Sequence, residues 1–561
     1  MSTLLTRLCD ELVLDPSSRA AVDGRVHGGA AVAEALLDVG DDLAVAQALG
    51  TVLGLRVATT PGELTPAPAW LARVPLRVWA AARALPLKGG EGADDPEVVA
   101  IAVADPLDAA AIDAVRVACG GMLPEVVVAP RRLLHDALRE HLGVGADTVQ
   151  SLVEGKGEET RAEVDLADAA EDASIIRLVN QVLQEALERR ATDVHFEPFE
   201  GRFAVRYRVD GVLVEAKLPA EVRRLQAAIV SRLKILASLD IAEKRLPQDG
   251  RIKLRLAGRE VDVRVSIIPM LHGEAVVLRL LDRSAALVGL AGTGMAGNHL
   301  ELFQRALDLP HGIVLVTGPT GSGKTTSLYA GLSRINTPDL KIVTIEDPVE
   351  YHLDGINQIQ VDNRTGLTFA KGLRAILRHD PDVVLIGEIR DRETAEIAVQ
   401  ASLTGHLVLS TLHTNDAPGA VARLVDMGIE PYLVASTLEL VVAQRLVRLL
   451  CVHCKRELAG EERVNALHEL PGFAGPLYGP LGCRACNGTG YHGRSGIFET
   501  MVMSPALRHA SGERVGGQAL RQTAEQEGLV SLRDDGLNLV RQGKTAVVEV
   551  LRNTHSGNLA R

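Results

Sequence analysis

The sequence predicts an α/β protein with a parallel-sheet core in its C-terminal half, preceded by an antiparallel α+β domain and a small mixed N-terminal domain. Three observations carry this prediction. From about residue 300 the pattern strand, loop, helix repeats, as the units of a parallel sheet do. Between residues 203 and 265 three segments alternate apolar and polar residues with period two, the mark of antiparallel strands with one buried face. Finally, the glycine-rich stretch GPTGSGKTT stands between an apolar run and an Ala/Leu-rich helical segment.

In chain order, residues 1–150 form the first predicted domain. It is rich in Ala and Leu at helical spacing, with a strand candidate in EVVAIAVADP and a closing helix in RRLLHDALREHLG that Gly143 stops. Residues 151–174 hold eight acids against two bases and few large apolar residues, so they read as a solvated linker. Residues 175–290 open with a helical repeat in IIRLVNQVLQEALERRA and continue into the alternating segments. There Phe203, Val205, Tyr207 and Val209 oppose Arg206, Arg208 and Asp210. Likewise Ile252, Leu254 and Leu256 oppose Arg251, Lys253 and Arg255, and Val261, Val263 and Val265 oppose Asp262, Arg264 and Ser266. One arginine on such a face is ordinary solvation, whereas the set forms a surface suited to anionic groups. Residues 291–561 make up the parallel core and its C-terminal additions.

Composition excludes some classes. With 561 residues, 47% of them hydrophobic, the chain can bury several cores. A net charge of -12 and the lack of any Lys/Arg block argue against a nucleic-acid partner. The N-terminal MSTLLTRLCDELVLD carries acids and has no small-residue cleavage site. No run of about 18 apolar residues occurs. The expectation is therefore a cytoplasmic chain.

The motif G-x-x-x-x-G-K-[ST] runs Gly318, Pro319, Thr320, Gly321, Ser322, Gly323, Lys324, Thr325, with Thr326 following. Glycines there let backbone N–H groups converge on phosphate oxygens at a helix N-terminus. Lys324 is expected to reach the β/γ-phosphates and the Thr325 hydroxyl to help hold Mg²⁺. A second apolar strand ends in acid at PDVVLIGEIRD. Gly387 stands where many such strands keep aspartate, and Glu388 is the candidate for polarising the attacking water. In VTIEDPVEY, Glu346 and the neighbouring Asp347 are candidates for orienting water or Mg²⁺. His413, at a strand end in SLTGHLVLSTLHTND, could sense the γ-phosphate, although a lone histidine there is more often structural.

Four of the six cysteines form two C-x-x-C pairs, Cys451/Cys454 and Cys483/Cys486, with 28 residues between the pairs. Four thiolates at this spacing predict a closed, structural zinc site, and two matched pairs exceed what a redox dithiol needs. Cys9 and Cys119 have no such partners and read as buried residues.

Taken in order, GPTGSGKTT, TIEDPVEY, LIGEIRD and TGHLVLSTLHTND resemble the Walker A, Asp box, Walker B and His box of the type II/type IV pilus secretion ATPases. ATDVHFEP, RYRVDGV and LDIAEKRLPQDGRI resemble the same family, so the resemblance spans about 174–555. It implies a RecA-like ATPase core behind a PAS-like domain, with the zinc module inserted at about 448–495. It also implies ATP held between the two domains, their rotation on hydrolysis, and an active homo-hexamer. Arg264 in VDVRVS and Arg279 in VVLRLL resemble the arginines that reach the phosphates from the preceding domain, and Arg206 and Arg208 could assist across a subunit interface. His413 gains a functional role on the same ground.

The segment ending SLRDDGLNLVRQGKTAVVEVLR looks more like the type II secretion members than the pilus-assembly members. The N-terminal domain resembles one shared by both groups. That likeness implies docking on the cytoplasmic part of a bitopic inner-membrane protein, next to a polytopic platform protein. RVHGGAAVAEALLDVG occupies the place where some of these domains carry an Arg-Leu-Gly-led repeat for cyclic di-GMP, which puts that ligand in doubt. The competing readings are a pilus-assembly motor, a RecA-type nucleic-acid motor and a non-enzymatic nucleotide-gated scaffold.

Overall fold

The structure, a computed structural model, describes residues 3–28, 30–88, 100–142, 173–256, 259–282, 288–362, 364–513 and 516–554. The acidic stretch 151–172 and Gly143 lie outside these residues. The chain divides into two compact units, Met1–Asp282 and Arg283–Arg561.

In the first unit, strands β1 (Arg56–Val57), β2 (Leu85–Leu87), β3 (Ala100–Val103) and β4 (Glu125–Val128) form a sheet in the order β1-β4-β3-β2. The apolar run in EVVAIAVADP becomes β3, buried throughout. The other three strands are two to four residues long, too short for any alternation to register in sequence. The predicted closing helix spans Arg131–Leu142.

Further along the same unit, β5 (Ala191–Phe199), β6 (Arg202–Val209), β7 (Val212–Glu215), β8 (Gln248–Leu256), β9 (Arg259–Met270) and β10 (Gly273–Asp282) pair antiparallel in the order β7-β6-β5-β10-β9-β8. Phe203, Val205, Tyr207, Ile252, Val261, Val263 and Val265 enter one core with Leu178, Val182, Ile229 and Leu233. The latter four come from helices Ala173–Glu188 and Gln226–Leu236. Period-two alternation thus places the apolar side against helices and the arginines on the opposite face.

The second unit is built on β11 (Gly312–Thr317), β12 (Ile342–Glu346), β13 (Asn357–Gln360), β14 (Val383–Ile386), β15 (Leu407–Leu412), β16 (Leu438–Leu450) and β19 (Tyr491–Val502). Their order is β13-β12-β14-β15-β11-β16-β19, and all neighbours run parallel except the β16–β19 pair. Ile313 and Leu315 enter one apolar layer while Val314 and Val316 enter the other. Both faces of the sheet are therefore covered, which is why its central strands read as unbroken apolar runs. The short ribbon β17 (Arg456–Glu457) with β18 (Tyr478–Gly479) belongs to the cysteine-bearing segment. Ala466, Leu470 and Leu477 of that segment pack with Leu537, Val540, Val547 and Val550 of the last two helices, Leu532–Arg541 and Val547–Thr554.

Candidate functional site

β11 leads at Thr317 into the glycine-rich loop, and the helix Lys324–Ile335 follows. Gly318, Gly321 and Gly323 hold φ of 146°, 79° and 88°, a region only glycine enters at little cost. At two of them space is also lacking. A Cβ on Gly318 would stand 2.4 Å from the Gln444 carbonyl oxygen, and one on Gly323 2.9 Å from the Gln444 side-chain nitrogen. Gln444 thus presses on the loop from β16, and Ser327 Oγ donates to its Oε1 at 2.9 Å.

Lys324 is only 9% exposed. Its Nζ donates to the carbonyls of Gly318 at 2.8 Å and Pro319 at 3.1 Å. Burial lowers its pKa, and the negative charge of Glu388 partly opposes this. Ser322 Oγ is buried and has no hydrogen-bond partner among the described residues. The loop therefore gathers a buried ammonium and an unpartnered hydroxyl, while Thr325 and Thr326 stay partly open.

Because β15 separates β14 from β11, the acid after β14 and the histidine after β15 reach the same carboxyl edge as the loop after β11. Glu388 Oε1 pairs with Arg390, and its Oε2 lies 3.3 Å from Nε2 of His413, which is half exposed. Burial pushes the Glu388 carboxyl up, but the Arg390 hydrogen bond and charge, with a smaller contribution from His413, hold it below the usual range. The main chain there is pinned from β15. Thr411 Oγ1 donates to Gly387 O at 2.7 Å, and Ile389 N–H donates to Thr411 O at 3.1 Å.

Gly387, where many such strands keep aspartate, is closely approached by β12. Gly387 N–H donates to Ile345 O at 2.8 Å, and a Cβ on Gly387 would stand 3.3 Å from the Glu346 Cα. The close approach of β12 and β14 makes this a tight position for any side chain. Glu346 itself, the last residue of β12, is 3% exposed. Tyr329 donates to its Oε2, and Thr344 Oγ1 donates to its Oε1 at 2.6 Å.

Several of these neighbours are not apparent from the sequence: Thr317, Gln444, Tyr329 and Arg390. Thr317 Oγ1 lies 2.6 Å from Thr414 Oγ1 and accepts from Thr414 N–H at 2.9 Å, fastening the His413 loop to the start of the glycine-rich loop. Arg390 is legible only through its place in GEIRD, whereas the other three carry no local signal.

Four arginines of the first unit share one register, while Arg206 lies outside it and pairs with Glu197. Reading across β6, β5, β10, β9 and β8, the row is Arg208, Asp193, Arg279, Arg264, Arg251. Asp193, which the sequence does not single out, accepts from Arg279 Nε at 3.0 Å and lies 3.8 Å from Arg208 Nε. Like charges directly opposite one another destabilise a sheet. The row holds four guanidiniums and one carboxylate.

The cysteines converge as predicted. The Sγ atoms of Cys451, Cys454, Cys483 and Cys486 all lie within 4.8 Å of one another. Cys451–Cys483 is 3.8 Å, Cys454–Cys486 3.7 Å and Cys483–Cys486 3.8 Å. Zinc–sulfur bonds of about 2.3 Å in a tetrahedron put sulfurs about 3.8 Å apart, so the four thiols fit a structural zinc. Cys9 and Cys119 are buried singly.

A P-loop strand next to the strand that leads to His413, with the acidic strand one further on, defines a P-loop ATPase with a RecA-like core. Comparison with known proteins agrees. Residues 168–552 match the family described as "Type II/IV secretion system protein", and residues 53–147 match the MshEN domain. The type II secretion system ATPase E of Vibrio cholerae is 52% identical over 74% of this chain and 82% of its own. The type IV pilus assembly ATPase PilB of Myxococcus xanthus is 46% identical over 81% of this chain and 82% of its own. The solved ATPase DotB of Yersinia pseudotuberculosis shares the fold at a TM-score of 0.51 and 21% identity, covering 68% of this chain and 93% of its own. The chain belongs to the type II/IV secretion system protein family.

Proposed function

We propose that this ATPase is the motor of type II protein secretion, working as a homo-hexamer whose domains rotate on hydrolysis. The ATPase part rests on one observation above all, the meeting of Lys324, Glu388 and His413 at one sheet edge. The secretion part rests on the 52% identity to a type II secretion ATPase.

In the proposed chemistry, the backbone N–H groups from Gly318 to Thr326 cradle the phosphates, and Lys324 binds the β/γ oxygens. Mg²⁺, held through Thr325, supplies charge neutralisation on those oxygens when bound. Glu388 accepts the hydrogen bond that orients and polarises the attacking water, with Arg390 and His413 fixing its two oxygens. Glu346 orients water or the Mg²⁺ shell from the neighbouring strand. Arg264 and Arg279 neutralise charge on the transferring phosphoryl group, with Arg206 and Arg208 acting across a subunit interface.

The proposed domain division is 1–150 for partner docking, 151–174 as linker, 175–290 as the PAS-like domain and 291–561 as the ATPase domain. Zinc at Cys451, Cys454, Cys483 and Cys486 holds the segment of about 448–495 in shape. Among the described residues no helix is long and apolar enough to cross a membrane. The protein would act from the cytoplasm, recruited to the inner membrane by the cytoplasmic domain of a bitopic protein and a polytopic platform protein, without nucleic acid.

The 46% identity to a pilus-assembly ATPase favours pilus assembly as the second reading. A chromosomal Lys324→Ala substitution separates the two. Loss of extracellular enzymes with surface pili intact is expected. Loss of pili with secretion intact would transfer the chain to pilus assembly.

A further inference from the structure

Tyr329 lies five residues after Lys324 on the helix Lys324–Ile335 and is fully buried. Its ring meets Tyr351 edge-on, with centroids 4.6 Å apart and planes at 81°. The ring alone satisfies that packing, so the hydroxyl needs another explanation. It donates to Glu346 Oε2. The other carboxylate oxygen takes Thr344 Oγ1 at 2.6 Å and Gln358 Nε2 at 3.3 Å. Three elements thus fix one carboxylate: the helix after the phosphate loop, β12 itself and β13. Burial and the charge of Glu346 push the Tyr329 hydroxyl far above the ordinary range, so it remains an O–H donor at every working pH.

Glu346 is the terminal residue of β12, with its Cα against Gly387 and so one residue from Glu388. A carboxylate held this way keeps a single orientation, and its support runs directly to the helix that begins at Lys324. We propose that Tyr329 is a positioning residue for ATP hydrolysis: its O–H fixes the Glu346 carboxylate to the Lys324 helix, so that phosphate loop and carboxylate move as one body. This rests on the proposed action of Glu346 at the phosphate site.

The test is Tyr329→Phe in the full chain, which keeps the ring and its stack on Tyr351. A hydrogen bond to a charged group carries roughly tenfold or more. The expected result is therefore a kcat about tenfold lower, with KM for ATP and the Kd for a non-hydrolysable ATP analogue within about twofold. Single-turnover rates then compare Glu346→Gln with the double substitution Tyr329→Phe/Glu346→Gln. Once the carboxylate is gone, removing the hydroxyl should cost nothing further, the coupling expected of two groups acting as a unit.

Several results would overturn the proposal. Unchanged kcat in Tyr329→Phe would do so, as would equal losses in both backgrounds or a joint fall of kcat and affinity. A chain too unstable to assay would place the hydroxyl in stability rather than turnover, and would overturn it equally. Near-normal turnover in Glu346→Gln alone would instead remove Glu346 from the reaction, a failure of the reading beneath the proposal.

Discussion

Replacing Thr317 by valine should separate the glycine-rich loop from the His413 loop while leaving the core filled. Thr317 is fully buried at the end of β11. Its hydroxyl sits 3.1 Å from Leu412 O and 2.6 Å from Thr414 Oγ1, and it accepts from Thr414 N–H at 2.9 Å. Valine preserves the shape but strands the Thr414 amide. A buried donor left unsatisfied costs about 1–3 kcal/mol, and the lost hydroxyl bond adds about 1 kcal/mol. For a unit of this size, about 3 kcal/mol lowers the melting temperature by roughly 6–12 °C. The transition to follow is the one that ATP shifts upward, since a ligand stabilises the folded unit that binds it. Because Thr414 adjoins His413, kcat should fall about tenfold as the imidazole loses its place beside Glu388. Thr317→Ser retains the hydroxyl and should recover both properties. A melting shift under about 2 °C, or full turnover in the valine variant, would refute the idea that this hydroxyl joins the two loops.

Glu388→Gln should bind ATP with near-normal affinity and hydrolyse it at least about a hundredfold more slowly, measured as phosphate release. The acid limb of kcat tests its partner. Arg390 holds the Glu388 carboxyl below its ordinary range, and a base works only when charged, so activity is lost as pH falls through that pKa. Removing the guanidinium in Arg390→Ala raises the pKa and should move the limb to higher pH. A limb that stays in place would dismiss Glu388 as the base. Native mass spectrometry should find about one zinc per chain. Stripping it, or Cys451→Ser, should loosen the segment around β17 and β18 while Lys324-dependent nucleotide binding survives. Intact melting behaviour after complete chelation would dismiss a structural metal.

Much of the site is legible in the residues alone. The glycine-rich loop declares itself because its spacing, its preceding strand and its following helix are all local in the chain. Glu388, Glu346 and His413 are legible because each ends or closely follows an apolar strand, and a covered parallel sheet sends every such end to one edge. The cysteine pairs are legible because a structural zinc would need four thiolates, and two C-x-x-C turns bring four together.

The sequence by itself determined the candidate reacting groups, the alternating strands of the first unit and the four cysteines that converge. These follow from backbone periodicity and from ligand chemistry, which are short-range. Only tertiary structure decided which side chains hold those groups in place. Thr317 and Thr414 are 97 residues apart, and Ser327 and Gln444 117 apart, and nothing in either segment announces the other. Tyr329 reads in sequence as one more apolar residue of a helix. The register of β5 and β10 places Asp193 beside Arg279, 86 residues away. The order β14-β15-β11 brings Glu388 to Lys324, and the closeness of β12 and β14 packs Gly387 against Glu346. Strand order and interstrand spacing arise from packing the whole sheet, so no local stretch encodes them.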